Sequence, residues 1–188
     1  MRVRESGMPP LQTWESFFDV EAILDALQLD TTRRQVLEFG CGYGTFTLPA
    51  ARRIGGNVIA LDVDPEMIEA TRRRAAEAGL ENIECRRRDF LADGSGVPDG
   101  SVDYAMLFNI LHGEDPHRLL GEAHRSLCPG GRLGIMHWNY DATTPRGPPM
   151  DIRPRPEQCM AWAMEAGFSR GSDLIELPPY HYGFVVIA

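Results

Sequence analysis

The chain has 188 residues, 43% of them hydrophobic and 24% charged, with a formal net charge of −8. That size and mix suit one globular domain with a real core, and the acidic balance argues against a broad nucleic-acid surface. All 19 basic residues are arginine, which excludes Schiff-base chemistry and a lysine-dependent phosphate loop. No apolar run reaches the length of a membrane span, and the first ten residues lack the apolar centre of a secretory signal. The four cysteines, Cys41, Cys85, Cys128 and Cys159, stand far apart without a C-x-x-C pair. A zinc site or disulfide framework is not expected, no metal is called, and the compartment is read as reducing and cytoplasmic.

In chain order, residues 1–13 read as a loose arm and 14–188 as a single domain. Phe17, Phe18, Ile23, Leu24 and Leu27 recur at helical spacing over 14–29, with Asp19 placed to cap a break or restart. A short apolar strand, 35–39, then runs into glycines at Gly40, Gly42 and Gly44, and an amphipathic helix follows over 46–54. Strand, glycine turn and helix form the nucleotide-binding corner of α/β folds. A dinucleotide corner calls for G-x-G-x-x-G, whereas this chain has E-x-G-x-G-x-G, its third glycine one place early. The second strand, 57–61, closes on Asp62, an acid placed about 20 residues past the glycines to bond ribose hydroxyls. Asp64-Pro65 reads as a helix cap and first helical position. A helix over 65–78 and a strand over 82–87 lead to Arg88-Asp89-Phe90. The fourth strand, 104–108, runs into Asn109-Ile110-Leu111-His112. A helix over 116–127 ends in Cys128-Pro129-Gly130-Gly131, and the fifth strand is 132–138. Residues 139–156 hold five prolines and no periodicity, which makes them a loop of functional type at the carboxyl edge of the sheet. A last helix, 157–166, precedes strands at 174–177 and 183–188. Only five residues separate those two strands, so they pair antiparallel if they are neighbours.

The order Glu38-Gly40-Gly42-Gly44, Asp62, Asp89-Phe90, Asn109 and the L-x-P-G-G-x-L turn resembles the class I S-adenosylmethionine (AdoMet)-dependent methyltransferases. The Pro98 to Asp103 stretch, PDGSVD, is similar to their type 11, quinone-methylating branch. The resemblance implies a three-layer α/β/α fold, with a doubly wound, seven-stranded, mostly parallel sheet whose last strand is antiparallel. It also implies AdoMet as cofactor and S-adenosylhomocysteine as product. By resemblance, Glu38, Gly40, Cys41, Gly42, Gly44 and Asn109 hold the methionine end, Asp62 the ribose, and Val63, Asp89 and Phe90 the adenine. His112, His137 and Tyr140 are the candidates for a base. Trp14, Phe18, Trp138, Arg146 and Tyr182 are the candidates for the acceptor wall, with Arg153 and Arg155 in the same proline-rich loop. The partner implied is a small-molecule methyl acceptor, not a nucleic acid or a membrane, and the protein is read as monomer or homodimer. Two other readings remain open at this point, a methyltransferase-like scaffold and an NAD-dependent oxidoreductase.

Overall fold

The structure is a computed structural model that describes residues 8–188; the first seven residues of the expected arm lie outside the described residues. The rest of that arm is not loose. Met8 to Pro10 runs over the glycine turn, where the Tyr43 hydroxyl donates to the Pro9 carbonyl at 3.1 Å, and helix α1 (Leu11–Glu15) already begins at Leu11. The expected first helix is two: α2 (Val20–Ala26) restarts after Asp19, whose side chain accepts from the Ala22 N–H at 3.2 Å. This is the N-cap bond that lets a chain turn and resume a helix.

Strands β1 (Gln35–Phe39), β2 (Asn57–Asp62), β3 (Ile83–Arg87), β4 (Val102–Phe108) and β5 (Leu127–Trp138) form a parallel core in the order β3-β2-β1-β4-β5. Strand β8 (His181–Ile187) adds antiparallel to β5, and β6 (Ser169–Arg170) and β7 (Ile175–Leu177) both pair with β8. The expected antiparallel ending is therefore borne out, with one two-residue edge strand in addition. Alternate side chains go to opposite faces. Leu37, Phe39, Leu61, Leu107, Ile135 and Phe184 pack under helices α5 (Pro116–Ser126) and α6 (Pro156–Glu165). Val36, Val58, Met106, Met136 and Val185 pack under α2 and α3 (Thr47–Arg53), while Ala60 meets Ile68 of α4 (Pro65–Glu77).

Two contacts fix the register of this sheet. The Asp103 carboxylate on β4 accepts from the backbone N–H groups of Arg34 and Gln35, at 2.8 and 3.2 Å, and so sets where β1 starts. Tyr104 is fully buried, and its hydroxyl donates to the Leu27 carbonyl at 2.6 Å, tying the end of α2 to the sheet. Its ring crosses β5 at Gly134, where a Cβ would overlap the phenol oxygen and come within 3.1 Å of Cζ. Glycine is required there by close approach, not by backbone angle. Gly134→Ala is expected to cost about 1–3 kcal/mol through overpacking. Adding Tyr104→Phe should recover part of the loss, as read by denaturant unfolding in a double-mutant cycle. Additive losses would break the proposed contact.

Candidate active site

The carboxyl ends of β1, β2, β4 and β5 open into one cavity, as the topology of an open parallel sheet requires. Its cofactor-side lining includes Glu38, Gly40, Cys41, Gly42, Asp62, Val63, Phe90 and Asn109. Trp14, Phe46, Phe108, Trp138, His112 and Arg146 line the rest.

The glycine turn is built by positive φ at Gly40, Gly42 and Gly44, of 77°, 54° and 75°, a region glycine enters without steric cost. Four of its backbone donors are committed to the protein. The Gly40 and Cys41 N–H groups both donate to the Leu61 carbonyl, at 2.8 and 2.9 Å. Gly42 donates to Asp62 Oδ2 at 2.9 Å, and Gly44 to the Cys41 carbonyl at 2.9 Å. A pyrophosphate corner needs such N–H groups free; here they face inward. Gly44 does not line the cavity. A Cβ there would press on Leu48 and Thr71, so its place is the packing of α3 on α4.

Charge points the same way. Four acidic side chains, those of Glu38, Asp62, Asp64 and Asp115, line the cavity against the guanidinium of Arg146. Glu38 is buried on β1 and accepts from the Thr47 hydroxyl. Loss of hydration pushes its pKa up to about 8, with Asp62 adding repulsion and Thr47 opposing. Burial also raises Asp62, against the N–H groups of Asp64 and Gly42 that hold its carboxylate. Asp62 is thus partly structural: it ties β2 to the glycine turn. Cys41 lines the cavity as an unreactive thiol, its pKa driven up first by burial. Asp64 is the N-cap of α4, accepting from Glu66 N–H at 2.8 Å, as the Asp-Pro pair implied.

Two of the side chains that line the cavity hold buried, unpaired polar atoms. Asn109 Oδ1 and Nδ2 and Thr45 Oγ1 are buried without a hydrogen-bond partner among the described residues, and both residues line the cavity. Buried polar atoms of this kind are costly unless a ligand completes them. Asn109 has a φ of 59°, which asparagine tolerates better than most residues. Thr45 was missed in the sequence reading; its signal was a hydroxyl beside the third glycine.

Other expected site residues fall elsewhere. Tyr182 is corrected outright. It lies within β8 on the α5–α6 face, buried, with its hydroxyl donating to the Pro154 carbonyl at 3.1 Å and 3.3 Å from Cys159 Sγ. Tyr140 does not line the cavity; the Arg155 guanidinium sits 3.7 Å over its ring, closing the two ends of the loop. His137 is fully buried behind His112, its Nε2 3.3 Å from His112 Nδ1 and its Nδ1 3.5 Å from the Trp138 carbonyl. Phe18 supports the wall from behind, 5.0 Å from Trp14 and 5.2 Å from Phe46 between ring centroids. Asp89 lies off the lining, and its Oδ1 accepts from the N–H groups of Leu91 and Ala92 at 3.2 and 3.1 Å. Trp14, Trp138 and Arg146 do line the cavity.

The proline-rich loop is organised by a residue expected to face substrate. Arg153 is buried, and its guanidinium donates to the carbonyls of Pro148 (3.0 and 2.8 Å), Asn139 (3.0 Å) and Asp141 (3.0 Å) and to Thr144 Oγ1 (2.6 Å). It holds Arg146, Gly147 and Pro148 against the cavity from inside the loop.

Two outcomes follow from this geometry. Burial raises the Glu38 pKa to about 8, well above that of an ordinary glutamic acid, so the folded state retains its proton longer than the unfolded chain. Its contribution is therefore most favourable below the unfolded value and falls as pH rises through the window between the two, levelling off above the upper value. Relative to Glu38→Gln, the ligand-free wild type should lose on the order of a few kcal/mol between pH 5 and 9; parallel stability curves would refute the buried, protonated Glu38. Arg153→Met should release the loop, so that trypsin cuts after Arg146 in the native protein much faster than in wild type. Unchanged cleavage would mean the loop keeps its course without the guanidinium.

A family model described as a methyltransferase domain matches residues 36–131. Aklanonic acid methyltransferase of Streptomyces sp. (strain C5) is 36% identical over 107 residues, which are 55% of this chain and 48% of that protein. An uncharacterized 37.1 kDa protein in transposon TN4556 of Streptomyces fradiae is 36% identical over 164 residues, 80% of this chain and 46% of that one. The chain thus spans about half the length of the curated relatives it matches. A solved structure of a SAM-dependent methyltransferase from Aquifex aeolicus superposes with a TM-score of 0.81 at 25% identity, covering 91% of this chain and 90% of the other. With the matched segment running from β1 into the turn of β5, through the glycine turn, Asp62 and Asn109, the chain belongs to the class I AdoMet-dependent methyltransferase family.

Proposed function

We propose that the protein transfers a methyl group from AdoMet to a small molecule whose body is apolar. The observation that carries this is the glycine turn: the N–H groups of Gly40, Cys41, Gly42 and Gly44 are spent inside the protein, and acidic side chains face the cavity beside it. Such a corner suits a cationic ligand and offers little to a pyrophosphate. The residues present fit AdoMet. Glu38, Asn109 and Thr45 would hold its amino-acid end, where the unpaired amide and hydroxyl atoms of Asn109 and Thr45 match an ammonium and a carboxylate. Asp62 keeps lone pairs for ribose hydroxyls after accepting from Gly42 and Asp64. Val63, Phe90 and Leu91 offer an apolar berth for adenine.

When bound, the sulfonium supplies an electrophilic methyl that needs no activation by the protein. The chain's own task is to bring an acceptor into line and keep water out. Trp14, Phe46, Phe108 and Trp138 give that end of the cavity an aromatic wall, and the Arg153-braced segment 146–148 closes it. The name of the aklanonic acid methyltransferase relative is consistent with an acceptor of this kind.

Thermal unfolding with AdoMet, S-adenosylhomocysteine and NAD in parallel tests the reading. A ligand at about 100 times its Kd adds roughly 2.7 kcal/mol, a Tm rise of about 5–10 °C for a chain this size. The rise is expected with the two adenosyl ligands and not with NAD; a rise with NAD alone would overturn the assignment. Asp62→Asn, which keeps one acceptor oxygen for the backbone, should weaken AdoMet about 10–100-fold by calorimetry. Unchanged affinity would remove Asp62 from the ribose site.

A further inference from the structure

The two histidines on the α5 face of the sheet form a relay with a defined direction. The Trp138 carbonyl can only accept a hydrogen bond. His137 Nδ1, 3.5 Å from it, therefore carries the ring proton; a bare nitrogen would set two lone pairs against each other. His137 is fully buried, and burial, followed by repulsion from His112, holds its pKa well below the ordinary value, so the ring is neutral. A neutral imidazole has one N–H, which leaves His137 Nε2 bare. His112 Nδ1, 3.3 Å away, must then be the donor. Burial, with the Arg153 guanidinium adding to it, pushes the His112 pKa down to about 4, so this ring is neutral as well. Its only proton is committed to His137. His112 lines the cavity, and its remaining nitrogen, Nε2, is a lone pair.

Resting on the AdoMet reading above, we propose that His112 Nε2 accepts the proton of a hydroxyl-bearing methyl acceptor, an aryl or enol alcohol, and that His137 is the positioning residue that holds His112 in the required tautomer. A lone pair rewards a donor. A carboxylate acceptor brings no proton and would place charge against it. An ammonium would be a second cation beside the sulfonium and near Arg153. The apolar wall of Phe46, Phe108 and Trp138 offers ring faces and edges that suit an aromatic or conjugated body. In the step, the acceptor oxygen forms its bond to the methyl carbon as the S–C bond breaks, and the S–C electron pair leaves with the thioether. The O–H proton passes to His112 Nε2 and from there to solvent. A weak base is sufficient because the oxygen becomes strongly acidic as it is alkylated, while a stronger one would already be protonated at neutral pH. Charge in the cavity is conserved, since the imidazolium appears as the sulfonium disappears.

Nitrogen-15 labelling of the histidines, with two-bond proton–nitrogen correlation at pH 7.5, reads the tautomer directly in the wild-type protein; His112→Asn assigns the signals. His112 is expected protonated at Nδ1 and bare at Nε2. An Nε2–H form overturns the relay. His137→Phe should mix the His112 tautomers, and His137→Gln, whose amide can accept from His112 and donate to Trp138, should restore the wild-type form. With S-adenosylhomocysteine present, 1-naphthol should move the Nε2 resonance and 1-methoxynaphthalene, which lacks the donor proton, should not. Equal movement by both, or movement by neither, overturns the hydroxyl class. In turnover of 1-naphthol, His137→Phe should lower kcat about 10–100-fold with AdoMet affinity unchanged; parallel loss of both would make His137 merely structural. Calorimetry with AdoMet on the same samples separates the two levels: the expected tautomer without AdoMet binding sinks the cofactor reading, and AdoMet binding with an Nε2–H tautomer sinks only the relay.

Discussion

Two carboxylates at the ends of neighbouring parallel strands are the constraint on which the site depends. Glu38 and Asp62 sit at the carboxyl ends of β1 and β2, which pair in register, and burial raises the pKa of both. Buried charge of one sign is tolerated only when it is neutralised or paired. The protein supplies part of the answer, through the Thr47 hydroxyl for Glu38 and two backbone N–H groups for Asp62. A proton answers for Glu38, whose pKa burial raises to about 8, which leaves Asp62 as the buried charge that a cation would pair. The glycine turn is shaped around the same constraint: by bonding Leu61 and Asp62, its amides lock β1 to β2 and leave the cavity acidic.

The order of elements was legible in the chain because the burial pattern is periodic. Odd and even positions of the strands divide between two cores. The hairpin at the end followed from chain length alone. The same parity should have separated the residues of β5 and β8. Trp138 shares its face with Met136, and His137 shares its face with Ile135; Tyr182 likewise goes with Phe184. β8 starts at His181, two residues before the strand expected at 183–188, so Tyr182 is a strand residue whose side chain goes to the α5–α6 face.

Other features left no trace in the sequence. Arg153 recognises mostly carbonyl oxygens, which every residue carries, so no pattern of side chains announces it. The tautomer of His112 is set by the Trp138 carbonyl through His137, a dependence on backbone direction and not on residue type. Asp62 looked like a purely ligand-binding acid because its backbone partners, Gly42 and Asp64, contribute only their N–H groups.

That distinction also shapes what the acceptor wall can become. A loop fixed by one guanidinium on its own carbonyls, with Tyr140 and Arg155 stacked across its ends, depends on few of the side chains between, Thr144 being one that joins the brace. The cavity sees Arg146, Gly147 and Pro148 from that loop, and Arg153 holds the segment through the Pro148 carbonyl. Gly147 is itself fixed by the brace, since at its φ of 128° a Cβ would come within 2.5 Å of the Arg153 guanidinium, so side-chain variation is compatible with the brace only beside it. The cofactor side has no such freedom, because Gly40, Gly42 and Asp62 hold the two central strands together with the same atoms that shape the ligand site.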